Sequence, residues 1–164
     1  MPAFAGIGLA VVAGALARRV GFDRDRSFYP VILTVIASYY VLFAVMAEGH
    51  TGLWFELIIS TLFAAAAIVG FRTSLWIVVA GLMMHGVFDF AHDILLSGKG
   101  VPAWWPNFCL AYDLSAALGL TEMLLLWNHR TIDATAPLNA SRMHSRSHRC
   151  AGSPSSRGAK VAIS

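Results

Sequence analysis

The run Leu75-Trp76-Ile77-Val78-Val79-Ala80-Gly81-Leu82-Met83-Met84-His85-Gly86-Val87-Phe88-Asp89-Phe90-Ala91-His92-Asp93-Ile94-Leu95-Leu96 decides how this chain folds. At about 1.5 Å of rise per residue, a helix of this length crosses a hydrocarbon core of about 30 Å. The run nevertheless carries His85, Asp89, His92 and Asp93. Helical residues four and seven apart share a face, so His85, Asp89 and His92 project in nearly one direction, with Asp93 at the edge of that face. An ionised carboxylate near the bilayer centre costs about 2.5–3.5 kcal/mol on insertion scales. A chain that carries such groups pairs them, ligates something with them, or moves protons through them.

Four more apolar blocks flank this one, at residues 3–17, 28–47, 53–71 and 108–127. The first is the shortest and marginal as a span; the others match the bilayer. The chain is 57% hydrophobic and 13% charged, about half the charge of an ordinary soluble domain. Its apolar residues form continuous runs rather than the alternation a barrel strand needs. These features predict an all-α polytopic transmembrane bundle of about five spans.

The net charge of +3 raises the question of nucleic acid, and its distribution argues against it. Arg18, Arg19, Arg24 and Arg26 lie between the first two blocks, Arg72 between the third and fourth, and Arg130 after the fifth. Among the short loops only Lys99 lies on the other side. The positive-inside rule then places the N-terminus outside and the C-terminus in the cytoplasm. Tyr29, Trp76 and Trp127 mark the inner interface and Trp54, Trp104 and Trp105 the outer one, where amphipathic rings favour the headgroup level. The expected partners are membrane lipids, with no nucleic acid.

Ala15-Leu16-Ala17 resembles a leader cleavage site, but no basic segment precedes the apolar run and two arginines follow it. That flank pattern reads as an N-out anchor. Two cysteines, Cys109 and Cys150, are too few for a disulfide framework. Gly6, Ala10 and Gly14 repeat every four residues and form a smooth surface for helix packing. Ser27 and Asn107 stand where they can cap the second and fifth helices. Residues 97–107, with Pro102, Trp104, Trp105 and Pro106, read as an anchored connector that can also serve as a lid. Residues 128–164, basic and rich in Ser and Arg, have too little apolar surface to fold alone and are expected to be disordered.

Depth brings the polar groups together. Measured from the outer end, Asp93 lies about 5 Å down the fourth helix, Asp89 about 10 Å and His85 about 16 Å. Asp113 on the fifth helix lies about 8 Å down, and Glu56 on the third about 5 Å. Glu56, Asp89, His92, Asp93 and Asp113 thus share a layer in the outer leaflet. Glu122 lies about half a turn around the fifth helix from Asp113 and points elsewhere. One of Ser38, Tyr39 and Tyr40 can reach the layer from the second helix.

Three kinds of function fit. In a metal-dependent enzyme, His85, Asp89, His92 and Asp113 are the candidate ligands of a divalent transition metal such as Zn, Fe or Mn. Asp93 or Glu56 is then the general base, and the substrate is amphiphilic because the site opens beside lipid. In a proton- or ion-coupled transporter the same groups form a relay, although below His85 the fourth helix offers no ionisable residue before Arg72. In a structural protein they only knit helices together. A bis-histidine haem does not fit, because His85 and His92 lie on one helix face.

The strings His85-Gly86-Val87-Phe88-Asp89-Phe90-Ala91-His92 and Gly100-Val101-Pro102-Ala103-Trp104-Trp105-Pro106-Asn107-Phe108-Cys109, followed by Tyr112-Asp113, resemble those of a group of small uncharacterised bacterial multi-pass membrane proteins. Asp25-Arg26-Ser27-Phe28-Tyr29-Pro30 is similar too. The likeness covers about residues 1–127. It implies an integral protein of a bacterial inner membrane and carries no activity over. That group often has a second His where this chain has Asp93, which weakens a His-rich ligand set here.

Overall fold

In the computed structural model, residues 1–22, 26–47, 52–96 and 101–151 are described, with the side chains of 93–96 and 129–151 left out. The elements are five helices: α1 (Pro2–Val20), α2 (Phe28–Met46), α3 (Leu53–Arg72), α4 (Leu75–Leu96) and α5 (Trp105–Ala151). All five contain a stretch long and apolar enough to cross a membrane, and no strand occurs among the described residues. The fold is therefore all-helical, as the block pattern requires. The first helix runs for 19 residues, longer than the apolar block that signals it, because Arg18, Arg19 and Val20 continue its last turn.

Local chemistry sets the helix ends. Pro2 opens α1, where a missing N–H costs nothing. Gly21 closes it in the left-handed region at φ 89°, its N–H donating to the Ala17 carbonyl at 2.9 Å. Ser27 occupies the N-cap of α2, but its hydroxyl makes no capping hydrogen bond. Asn107 does not cap α5, which starts two residues earlier at Trp105. There the Trp105 N–H donates to the Pro102 carbonyl at 2.9 Å, so the prolines start the helix rather than hold it open. The α5 backbone runs past Trp127 to Ala151, into the segment expected to be disordered, and residues 152–164 lie outside the described ones.

The chain divides into two units, Met1–Leu124 and Leu125–Ser164. The first holds all the packing that follows. Within it α1, α3 and α5 run in one direction and α2 and α4 in the other. Gly6 of α1 sits on the Phe108 carbonyl of α5 so closely that a Cβ there has no room. Farther along the same two helices, Arg18 pairs with Glu122 at 3.0 Å. Gly14 faces the Tyr29 hydroxyl of α2, so the small-residue repeat of α1 serves packing on two neighbours. Glu122, in its exposed surface pair, stands apart from the polar layer.

The interior changes character with depth. One half is apolar, with Leu33, Val78, Leu82 and Leu120 wholly buried. Leu33 fits against Gly81, where any side chain would collide with it. The other half holds Glu56, His85, Asp89, His92 and Asp113, all buried.

Candidate functional site

The site is assembled from four helices. α4 supplies His85, Asp89 and His92 from one face, as their spacing demands. α5 supplies Asp113, α3 supplies Glu56 from its first turn, and α2 supplies Tyr40. Gly86 lets α5 approach: a Cβ there would lie 3.2 Å from Leu110 and 3.4 Å from the Asp113 side chain. That closeness brings Asp113 beside His85.

The polar groups divide into a trio and a pair. His85 Nδ1 lies 2.8 Å from Asp113 Oδ2 and 3.4 Å from Asp89 Oδ2. The first contact is a hydrogen bond; the second is a longer ion-pair approach by a carboxylate on the next helical turn. One ligand atom from each of His85, Asp89 and Asp113 can be chosen so that all lie within 4.8 Å of one another. The pair is His92 and Glu56, with Nε2 and Oε1 2.7 Å apart.

The sequence reading groups His92 with the trio as a ligand; in the structure its Nε2 faces Glu56 instead. Glu56, read as a candidate general base, is a buried partner of an imidazole. Asp93 lies on α4, and its side chain is outside the described residues.

Aromatic rings enclose both imidazoles. The Tyr40 ring lies 4.3 Å from that of His92 and 6.2 Å from that of His85. Phe63 meets His85 edge-on at 4.9 Å, and Phe88 meets His92 edge-on at 5.5 Å. Of the three polar candidates on α2, Tyr40 is the one that reaches the site. Tyr39 is partly exposed and packs on Trp105 at 5.2 Å. The sequence held a signal for this choice: Leu33, Ile36, Ala37, Tyr40 and Ala44 follow the three-to-four spacing of one buried face. Phe63 and Phe88 carry no such mark, since phenylalanines are unremarkable in any span.

Trp105 also contacts Phe43 at 5.0 Å, so this end of α5 is fastened to α2. Residues 97–100 of the connector lie outside the described ones.

Seven buried polar atoms of the cluster have no hydrogen-bond partner: Tyr40 Oη, Glu56 Oε2, His85 Nε2, both Asp89 oxygens, His92 Nδ1 and Asp113 Oδ1. Buried polar groups are normally satisfied, and the cost of leaving one bare is about 1–3 kcal/mol. Asp89 is the extreme case, with no exposed surface and neither oxygen hydrogen-bonded. These donors and acceptors converge on one layer of the interior.

Comparison with protein families, curated proteins and solved structures gives no match for this chain.

Proposed function

We propose that His85, Asp89 and Asp113 hold a divalent transition metal inside the membrane, in a protein that acts on an amphiphilic substrate. One observation carries the reading: Asp89 is fully buried with neither carboxylate oxygen hydrogen-bonded, beside an imidazole and a second carboxylate. One nitrogen and carboxylate oxygens suit zinc, iron or manganese.

Charge balance supports it. With His85 neutral, a doubly charged cation cancels the charges of Asp89 and Asp113. Ionised without a cation, Asp89 and Asp113 would face a single imidazole, and an uncompensated charge in a dry interior costs several kcal/mol. When bound, such an ion polarises a substrate oxygen as a Lewis acid. Glu56 fixes the His92 ring and its tautomer, leaving Nδ1 able to hold or pass a proton. Tyr40, Phe63 and Phe88 keep water from the imidazoles.

Support for a lipid-like substrate comes from a groove of about 510 Å³ between α3 and α4. It is lined by Leu62, Phe63, Met84 and Phe88, and the two phenyl rings separate it from His85. A transporter fits less well. Leu33, Val78, Leu82 and Leu120 seal the half beyond His85, so a relay would cross apolar packing. The structural reading has its own support, because the His85–Asp113 and His92–Glu56 bonds tie α3, α4 and α5 together. Metal dependence separates the two.

The orientation that fits the arginines has the N-terminus outside, the C-terminus in the cytoplasm, and the site in the outer leaflet. A bacterial inner membrane is the membrane proposed.

The test is thermal melting of chelator-treated protein in detergent, before and after addition of Zn²⁺, Mn²⁺ or Fe²⁺. A ligand that binds only the folded state raises the melting temperature. One of these ions should do so in the wild type and not in Asp89→Asn. Equal melting with and without every metal would leave the structural reading in its place.

A further inference from the structure

A second groove, of about 500 Å³, lies between α2 and α3 at the opposite end of the bundle from the polar cluster. Its walls include Val31 and Thr34 of α2 and Ala67 and Ile68 of α3, and its mouth carries Ser27 and Arg72. We propose that it binds one anionic phospholipid, an acyl chain in the groove and the phosphate at Arg72. This inference does not rest on the metal reading.

The groove is apolar along its length. Thr34 spends its hydroxyl inside the helix, donating to the Pro30 carbonyl at 3.0 Å. Ala67 is small and buried, which sets the floor back between the two helices. From Ser27 to Thr34 the helix rises about 10 Å, against about 15 Å for one leaflet of the hydrocarbon core. A chain lying here therefore stays within a single leaflet, with its headgroup at the mouth.

The mouth is complementary to a phosphate in three ways. Arg72 ends α3, is exposed, and has no carboxylate partner among the described residues. Ser27 has a hydroxyl not used in capping, so it is free to donate to a phosphate oxygen. The first turn of α2 holds no acidic residue to repel an anion. A guanidinium offers paired donors to phosphate oxygens, which a zwitterionic headgroup exploits less because its own cation competes.

The full-length protein in mild nonionic detergent should be equilibrated with equal amounts of phosphatidylglycerol and phosphatidylcholine, and bound lipid counted by native mass spectrometry. The wild type should retain phosphatidylglycerol in about fivefold preference, the ratio that ~1 kcal/mol per basic residue gives. Arg72→Gln should erase the preference, and Arg72→Lys, which keeps the charge but not the paired donors, should lower it. Val31→Trp, which fills the groove, should lower retention of both lipids. Inorganic phosphate at the lipid concentration should displace neither. Arg72 and Val31 are exposed, so these variants keep the fold. An unchanged preference in Arg72→Gln, unchanged retention in Val31→Trp, displacement by inorganic phosphate, or no preference in the wild type would each overturn the proposal.

Discussion

His85 on α4 and Asp113 on α5 meet at 2.8 Å between Nδ1 and Oδ2, in a layer where neither has appreciable contact with solvent. The bond decides the tautomer. With Asp113 ionised, Nδ1 carries the proton and donates it, and Nε2 is left with a lone pair and no partner. Asp89 approaches the same Nδ1 from the next turn at 3.4 Å. A cation seated among these three atoms would bind Nδ1 and leave that proton on Nε2, the ring staying neutral.

Metal loading should therefore release little or no proton at neutral pH, because the neutral ring changes tautomer and keeps its hydrogen on Nε2. Titration calorimetry in two buffers of different ionisation enthalpy measures the release directly. The sign follows: affinity should fall as the pH is lowered, since protons compete for the same nitrogen and carboxylates. Heats that differ by the ionisation enthalpy of a full proton at neutral pH would mean that the unloaded trio holds an extra proton, against a neutral His85.

Glu56 and His92 form a separate buried pair, and removing one member strands the other. His92→Leu should destabilise the protein by about 1–3 kcal/mol, and Glu56→Leu by a similar amount. The double variant should cost less than the sum of the two, because nothing is left unpaired. Unfolding in detergent gives the three values. Full additivity would show that the 2.7 Å contact carries no energy.

Gly86 controls the spacing of α4 and α5 beside the site. Gly86→Val adds branches where a Cβ alone already lies 3.2 Å from the Leu110 side chain and 3.4 Å from that of Asp113, so these side chains or the helices must shift. Overpacking of this kind costs about 1–3 kcal/mol. It should also weaken metal binding by moving Asp113 away from His85. Leu82→Ala, in the apolar half, should cost about 2–5 kcal/mol and leave metal binding intact. Comparing the two variants by melting temperature and metal content separates bundle stability from site geometry.

The helices were legible because membrane insertion imposes a length and a composition that local sequence must satisfy. Leu75–Leu96 has its expected ends, and Phe28–Met46 and Leu53–Arg72 differ from theirs by one residue. The start of α5 was misplaced by three residues because Trp105, Pro106 and Asn107 read as connector, whereas Pro is tolerated in a first helical turn. His85, Asp89 and His92 were placed on one face by periodicity alone, and depth brought Glu56 and Asp113 to their level. Periodicity could not say which carboxylate meets which imidazole. That depends on how closely α5 approaches α4, and thus on Gly86, whose role is invisible without its neighbour. The division into a His85–Asp89–Asp113 trio and a His92–Glu56 pair is a product of packing between helices.

The central claim is that the trio binds one metal ion. Its most direct test is elemental analysis of protein purified without chelator, reported as metal per chain for the wild type, Asp89→Asn, Asp113→Asn and Glu56→Gln. The account expects about one equivalent of a transition metal in the wild type and in Glu56→Gln, and none in the two aspartate variants. Folded wild-type protein free of metal, or aspartate variants that keep the full equivalent, would contradict it.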